Sequence, residues 1–436
     1  MPLRDLVLLL FFVISMPICF IRPFYGVLLW SIVAFMNPQS YIWGGASFFP
    51  WALAVAVATL AGMIFFSGGF RKLASREVLV IIALWLWFTA TSLNSSQTSL
   101  FMNHAVDTWY RWQFVSKILL MTLAAIVIVD SFSRLRIFVL VMSGCFGLYV
   151  LKSFPFVILT GGVFRLYGPD KSMIADNNDF GLALDMTLPM FFYLSQTEEK
   201  RWVRWSFGVV FLITILAIFF TYSRGALVGL VAVLVLMFLQ SKRRLVLVPV
   251  VAIGLVVALL FTPAAWRERM DPTRPDAVDV SAMSRLNAWS FSWNLAADYP
   301  IAGGGFDTFT RELFARYAPN VADTHGPHSI YFQVLAEHGF VGLALYLTLL
   351  VCCFATLRRL RKRARSFGDP LIANYANMFR FSLVGFLAAG TFLGRAYFDY
   401  FFAIVACIVI LDKVSQRDRS ESHVLELVPE EEEQMA

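Results

Sequence analysis

The sequence predicts an all-α polytopic membrane protein of about 12 transmembrane helices, with one large periplasmic helical loop between late spans. Three observations predict it. Of 436 residues, 59% are hydrophobic and 15% charged, more apolar surface than a soluble chain of this length can cover. The apolar residues gather in runs that approach the roughly 20 residues a helix needs to cross a bilayer. One polar block, from about Pro263 to Pro327, interrupts those runs and leads into His325-Gly-Pro-His328.

Taken in order, apolar spans fall near residues 6–21, 24–37, 47–66, 78–94, 114–130, 137–159, 180–196, 203–221, 226–240, 245–262, 339–357, 374–394 and 397–412. The first two are short and separated only by Arg22-Pro23, so the count is 12 or 13 depending on whether both cross. The run after Arg4 resembles a signal peptide but lacks a small-x-small cleavage site, so it reads as retained. Cys19, Cys145, Cys352, Cys353 and Cys407 all lie in apolar runs. They read as small core residues, which argues against a disulfide framework or zinc site.

The net charge of +7 does not imply nucleic acid, because the basic residues fall largely in short loops between spans. Arg71/Lys72/Arg76, Arg134/Arg136, Lys200/Arg201/Arg204, Lys242/Arg243/Arg244 and the run Arg358 to Arg365 occupy every second junction. The positive-inside rule puts these in the cytoplasm. The junctions 160–179 and 222–225, the large loop and the turn near Arg395 then face the periplasm. The chain divides into N-terminal transmembrane helices (1–159), central helices with the Arg224 turn (160–262), the periplasmic loop (263–327), C-terminal helices (328–413) and a cytoplasmic tail (414–436). The tail, with Glu430 to Glu433, reads as a disordered, solvated end.

Inside the loop, Ser281 to Ala297 has helical spacing, with Met283, Leu286, Trp289 and Trp293 on one stripe. Tyr299-Pro300 ends that helix, Gly303 to Gly305 reads as a flexible turn, and Phe306 to Tyr317 as a second short helix. The loop reads as a cap lying on the membrane rather than a separate soluble domain.

His328 opens the pattern His-Ser-x-x-Phe-x-x-x-x-Glu-x-Gly-x-x-Gly, through Phe332, Glu337, Gly339 and Gly342. A histidine at the mouth of a membrane helix titrates near neutral pH and suits a general base acting on a hydroxyl. The bland alternative is a helix-capping or interfacial histidine. Ser223-Arg224-Gly225 forms a tight outer turn. Arginine at a membrane boundary is costly unless it serves a cavity or snorkels, and its planar fork matches a phosphate. Arg285 precedes Trp289 by four residues on the first loop helix, and Arg165 and Lys171 share the 160–179 loop with Asn177 and Asn178.

Lys117, Lys152, Asp185 and Asp399 lie within spans and Arg395 at a span edge, depths at which polar groups are cavity candidates. Arg395 and Asp399, four residues apart, are spaced to neutralise each other. Asp323, His325 and His328 are close enough in sequence to be weighed as a metal site. His-x-x-His matches the usual zincin spacing poorly, and neither a metal nor another cofactor is expected.

These residues together resemble the O-antigen ligase/polymerase superfamily of bacterial envelope glycosyltransferases. The resemblance runs over about residues 160–412. Ser223-Arg224-Gly225-Ala226 carries it, then Ser284-Arg285-Leu286-Asn287-Ala288-Trp289, Tyr299-Pro300 through Gly305, and His328 through Gly342. The segment Arg22 to Trp30 with Met36-Asn37-Pro38 looks like the subgroup with an extended N-terminal region, described as O-glycosylation ligases. Ser329 stands where the family more often has asparagine. The resemblance implies a metal-independent transferase in the bacterial inner membrane. It would move a glycan from an undecaprenyl-diphosphate carrier to an acceptor hydroxyl, lipid A–core foremost, on the periplasmic side. His328 would be the base, with Arg224, Arg285 and Arg165 on the diphosphate and His325, Lys117, Lys152 and Asn178 in a second tier. The partners expected are the lipid-linked donor, the acceptor and membrane lipids, without nucleic acid. Polymerase and protein O-glycosylation ligase of the same superfamily stay open, as does a polysaccharide flippase. A transporter more often shows two related halves, and no internal repeat is visible here.

Overall fold

The computed structural model describes residues 3–42, 44–66, 73–240 and 275–427. The apolar run 245–262, the start of the large loop, Arg71, Lys72, Lys242 to Arg244 and the acidic end of the tail lie outside the described residues.

The described chain is helical throughout. The N-terminal helices are α1 (Leu3–Ile21), α2 (Pro23–Met36), α3 (Trp51–Phe66), α4 (Arg76–Gln97), α5 (Ala105–Ile128) and α6 (Phe132–Leu159). The central ones are α7 (Asn177–Thr197), α8 (Arg201–Phe220) and α9 (Arg224–Gln240). After the undescribed stretch come α10 (Pro275–Asp298), α11 (Arg311–Tyr317), α12 (Ile330–Ser366), α13 (Pro370–Gly390) and α14 (Asp399–Leu427). Short polar residues start many of them. The Ser75, Ser131, Asp176, Thr310 and Asp369 side chains accept N–H bonds at the heads of α4, α6, α7, α11 and α13.

Among the described residues, seven helices are long and apolar enough to cross a membrane, and α2, α3 and α9 are shorter apolar helices. The protein is a multi-pass membrane protein. Helix α7 is too polar to be among the seven, and its place explains why. From Phe180 to Phe191 every residue is buried, packed among α8, α9 and α13.

The helix ends sort into two sets. At one end the N-terminus of α7, the 160–175 loop and the 220–224 turn are tied together. Asn177 Nδ2 donates to Thr221 O (2.7 Å), Leu166 N–H to Phe220 O (2.9 Å) and Tyr222 Oη to Gly162 O (2.7 Å). The other end is held by ion pairs: Arg136–Glu198, Arg359–Asp412 and Arg363–Asp412.

The loop after the undescribed stretch departs from expectation in three ways. Helix α10 forms as the spacing predicts, but of its predicted stripe only Trp289 is packed, against Phe332, while Met283, Leu286 and Trp293 are 60%, 50% and 56% exposed. A second apolar stripe, Ala288, Phe291 and Leu295, shares the same period and wins the core. Phe291 stacks on Phe314 with centroids 4.2 Å apart. The second helix starts only at Arg311, because Phe306 and its neighbours run instead against α4 and α5. There Thr108 Oγ1 donates to Phe306 O (2.8 Å) and Ser95 Oγ to Gly304 O (2.8 Å).

The third departure is the glycine turn, which is wedged into α12 rather than flexible. Gly339 breaks that helix with φ 66°, freeing carbonyls one turn earlier. Gly304 N–H donates to Ala336 O and Gly305 N–H to Glu337 O, both at 2.9 Å, while Phe340 N–H turns to Pro300 O (2.8 Å). A Cβ on Gly339 would stand 2.3 Å from Ile301 O, so only glycine permits this splice. His104 Nε2 reaches Gly304 O at 3.2 Å, and the fully buried His338 is held by Thr91 Oγ1 at 2.7 Å.

Candidate active site

His328 is set by its surroundings rather than by a helix. It lies two residues before α12 with φ 43°, in the left-handed region. Helix α10 fixes the approaching strand of chain. Asn287 bonds Asn320 and Asp323 through both ends of its amide, and Trp289 Nε1 donates to Pro327 O at 2.8 Å. The Trp289 indole then stacks on Phe332, in the first turn of α12, at 5.0 Å. Ser329 begins α12 without capping it, and its buried Oγ has no partner among the described residues.

A cavity of about 360 Å³ opens beside His328. It is lined by Asp179, Asp307, Phe309, Gln333, Glu337 and Arg395, with Gly326, Pro327, His328 and Gly394. Arg395 Nη2 pairs with Asp179 Oδ2 at 2.5 Å. This corrects the expected pairing of Arg395 with Asp399, whose Oδ1 instead accepts the Tyr400 N–H (2.8 Å) at the head of α14. Spacing along one chain cannot see a partner on α7. Glu337 is fully enclosed, with Oε2 accepting from Tyr397 Oη (2.5 Å) and Oε1 from Asp307 N–H (3.2 Å). Asp307 in turn takes Arg111 Nε at 3.1 Å.

His328 as a residue is exposed, yet enough protein surrounds its ring to remove much of its water. That desolvation, then the charges of Arg285, His325 and Arg395, pushes the imidazole below the usual histidine range, against a smaller opposing pull from Asp176. The shift favours the neutral form of the ring.

The other predicted residues divide. Arg285 lies close enough to His328 to act on its charge state, and His325 faces it with ring centroids 5.7 Å apart. Arg165 sits over Tyr222 at 6.0 Å, next to the turn that presents Arg224. Arg224 begins α9, and its neighbour Gly225 abuts Phe392 and Leu393, just before Arg395. Asn178 is fastened to Asp176 at the head of α7. These residues share one end of the bundle. Lys152 lies over the Tyr41 ring at 4.1 Å instead, and neither it nor Lys117 lines the cavity. Asp185 is sealed in the middle of α7, away from the cavity, with no hydrogen bond to its carboxyl oxygens among the described residues. His325 Nε2 is 3.8 Å from Asp323 Oδ1, and no metal-holding group of three ligands forms among the described residues.

Sequence reasoning passed over Asp179, Asp307, Phe309 and Gln333. For Gln333 a signal existed: it and Glu337 are four apart in an apolar helix, which puts two polar groups on one face.

The O-antigen ligase family model matches residues 209–347, a stretch that holds Arg224, Arg285 and His328. A family of unknown function (DUF5935) matches residues 3–199. No curated protein matches the chain. The match over residues 209–347 supports membership of this chain of membrane-length helices in the O-antigen ligase superfamily, and with it a glycosyltransferase-like enzyme.

Proposed function

We propose that the protein moves a glycan from undecaprenyl diphosphate to an acceptor hydroxyl at the periplasmic face of the bacterial inner membrane, with lipid A–core the first acceptor to test. The observation that carries this reading is His328, a desolvated imidazole on the wall of a cavity, within the field of Arg285 and Arg395. The acceptor oxygen attacks the anomeric carbon while His328 takes its proton. The bond from that carbon to the phosphate oxygen breaks, and its electron pair leaves with undecaprenyl diphosphate. A diphosphate is already a good leaving group, so it needs charge neutralisation more than protonation. Arg224, Arg285 and Arg165 supply that charge, and a guanidinium fork fits a phosphate better than an ammonium does. Lys117, Lys152, His325 and Asn178 stay supporting residues.

Purified protein with lipid-linked glycan and acceptor tests the reaction. Donor that is never consumed would end this reading. In a deletion strain, lipid-linked polymer accumulating beside bare acceptor marks a ligase, whereas single-repeat products mark a polymerase. Sidedness is tested by cysteines at Asp276 and Arg361. Periplasmic labelling at 361 but not at 276 would reverse the orientation.

A further inference from the structure

A second open volume, about 700 Å³, lies at the end of the bundle away from His328. The turn from α1 to α2, the end of α3 at Phe66 and the passage from α5 to α6 border it. Arg136, two residues beyond its wall at Arg134, pairs with Glu198 at the tail of α7, which fixes the end in question. None of its lining residues also lines the cavity beside His328.

The charged groups here favour an anion. Two guanidinium groups, Arg22 and Arg134, line the volume against one carboxylate, Asp130. Arg134 is fixed through a single nitrogen: Nη1 donates to Asp130 Oδ1 at 2.9 Å and to Ile128 O at 3.3 Å. The Phe24 ring supports its guanidinium, with the centroid 5.4 Å from Cζ. That leaves Nε–H and Nη2, the two-pronged edge that matches a phosphate, without a partner among the described residues. Arg22 is exposed in the turn before α2, and its guanidinium makes no hydrogen bond or ion pair among the described residues. An arginine that only anchors a helix end needs neither a second arginine nor an open volume beside it.

The rest of the lining indicates what carries the phosphate. Ile21, Tyr25, Phe66 and Ile137 line the volume and are exposed, so it opens onto apolar surface. In a membrane protein that surface is covered by lipid. A free anion would leave it bare, whereas a phospholipid meets both needs: phosphate on the fork, acyl chains on the apolar rim. Tyr25 is then an aromatic at headgroup level. Basic pockets between helix ends collect anionic headgroups. The volume lies within the usual 300–1,000 Å³ of small-molecule sites, room for a headgroup and the start of its chains.

We infer that this volume binds an anionic phospholipid, its phosphodiester held between Arg22 and Arg134. A lipid held there ties the α1–α2 turn to the head of α6 and stabilises the N-terminal helices. The inference is independent of the transferase reading.

The test uses the purified full chain, stripped of lipid in detergent, with three probes: phosphatidylglycerol, phosphatidylcholine of the same chain length, and inorganic phosphate. Native mass spectrometry should show one phosphatidylglycerol retained per chain. Phosphatidylcholine should be retained about fivefold less or weaker still, since its choline sets a cation beside the guanidinium groups. Arg22→Gln breaks no printed bond of the side chain and should lower phosphatidylglycerol retention about fivefold, the worth of one basic contact with an anionic lipid. Arg134→Lys keeps the charge but loses the fork, and should lower retention as well. Arg201→Gln removes an exposed cation at the same end, at the head of α8 and outside the lining, and should leave retention unchanged. Phosphatidylglycerol should raise the melting temperature of the wild type but not of Arg22→Gln, and size-exclusion profiles confirm that each variant is folded. Equal retention of the two phospholipids would overturn the inference. So would equal losses in Arg22→Gln and Arg201→Gln, because surface charge alone would then account for binding. Inorganic phosphate that raises the melting temperature as much as phosphatidylglycerol would overturn the assignment to a lipid.

Discussion

The two ends of the helix bundle handle charge differently, although each holds an open volume, about 700 Å³ beside the Arg134–Asp130 pair at one and about 360 Å³ beside His328 at the other. At the end holding Arg136 and the Arg358–Arg365 run, arginines finish in pairs: Arg136 with Glu198, Arg359 and Arg363 with Asp412. At the other end, the charges of Arg395, Asp179, Asp307 and Glu337 converge with His328 on one concave volume. A membrane protein anchors itself with basic residues that close on local partners, and such pairs need no cavity. Ionisable groups gathered around open space are costly to maintain and mark chemistry. The comparison therefore sets Arg136, Arg359 and Arg363, which close on single carboxylates, against Arg395, whose pair with Asp179 sits in a wall shared with two further carboxyl groups and His328.

The comparison breaks most sharply at His328. His328→Ala should lower transfer by about 10²–10⁴-fold, the usual contribution of a positioned base, while the protein stays folded and membrane-inserted. His325→Ala should be milder, since its ring faces His328 rather than lining the cavity. The pH dependence has a definite sign. The base works neutral, and burial with the nearby Arg285 charge lowers its pKa, so the neutral form persists into mild acid. Wild-type transfer should hold through about pH 6.5, where an ordinary histidine is half protonated, and fall only below it. A pH profile of kcat/KM that is already falling above that point would contradict the assignment.

Next in size are the arginines. Arg224→Ala and Arg285→Ala should each reduce transfer by about 10²-fold or more, as loss of a charge-stabilising donor does elsewhere. Lysine should rescue only part of it, because the bidentate fork is lost. Assay of purified variants with saturating donor decides this. Full activity in both alanine variants would return these residues to the class of anchors seen at the opposite end.

A third expectation concerns the splice that shapes the cavity wall. Gly339→Ala forces a side chain into φ 66° and against Ile301 O, so stability should fall by roughly 1–3 kcal/mol. Transfer should fall with it, because Glu337 lies two residues away on the displaced turn. Thermal unfolding in detergent, read beside activity, separates the two losses.

That splice also marks where the sequence stops being legible. Apolar runs placed most of the described helices within a few residues, because burial in a bilayer requires length before anything else, whereas α5, α12 and α14 extend nine or more residues beyond theirs and the run 245–262 lies outside the described residues. The His328 pattern and the Arg224 and Arg285 motifs fall at one end of the bundle, the end that holds the cavity beside His328. Partners across the fold were hidden, since Asp179 meets Arg395 from 216 residues away and no local period encodes that. Three adjacent glycines look alike whether they give freedom or close contact. Only the neighbouring helix, with its break at Gly339, decides between the two. Likewise α10 offered two apolar stripes of one period, and the choice between them rested on Phe314, which stacks on one stripe.

The smallest effect on transfer is expected at the opposite end. Arg136 Nε and Nη2 meet both carboxylate oxygens of Glu198, at 3.0 and 2.5 Å. The Glu198 side chain is only 3% exposed while that of Arg136 is 34% exposed. Arg136→Ala therefore strands an enclosed carboxylate, at a cost of about 1–3 kcal/mol. Solvent reaching the arginine places it toward the lower figure. Because neither residue lines the cavity beside His328, kcat and KM at permissive temperature should match the wild type while the melting temperature drops by a few degrees. Arg136→Ala with Glu198→Gln should recover part of that loss, since the stranded charge is then removed as well. A large fall in transfer from Arg136→Ala, in protein that remains folded, would mean that the two ends are coupled, and the contrast between them would have to be abandoned.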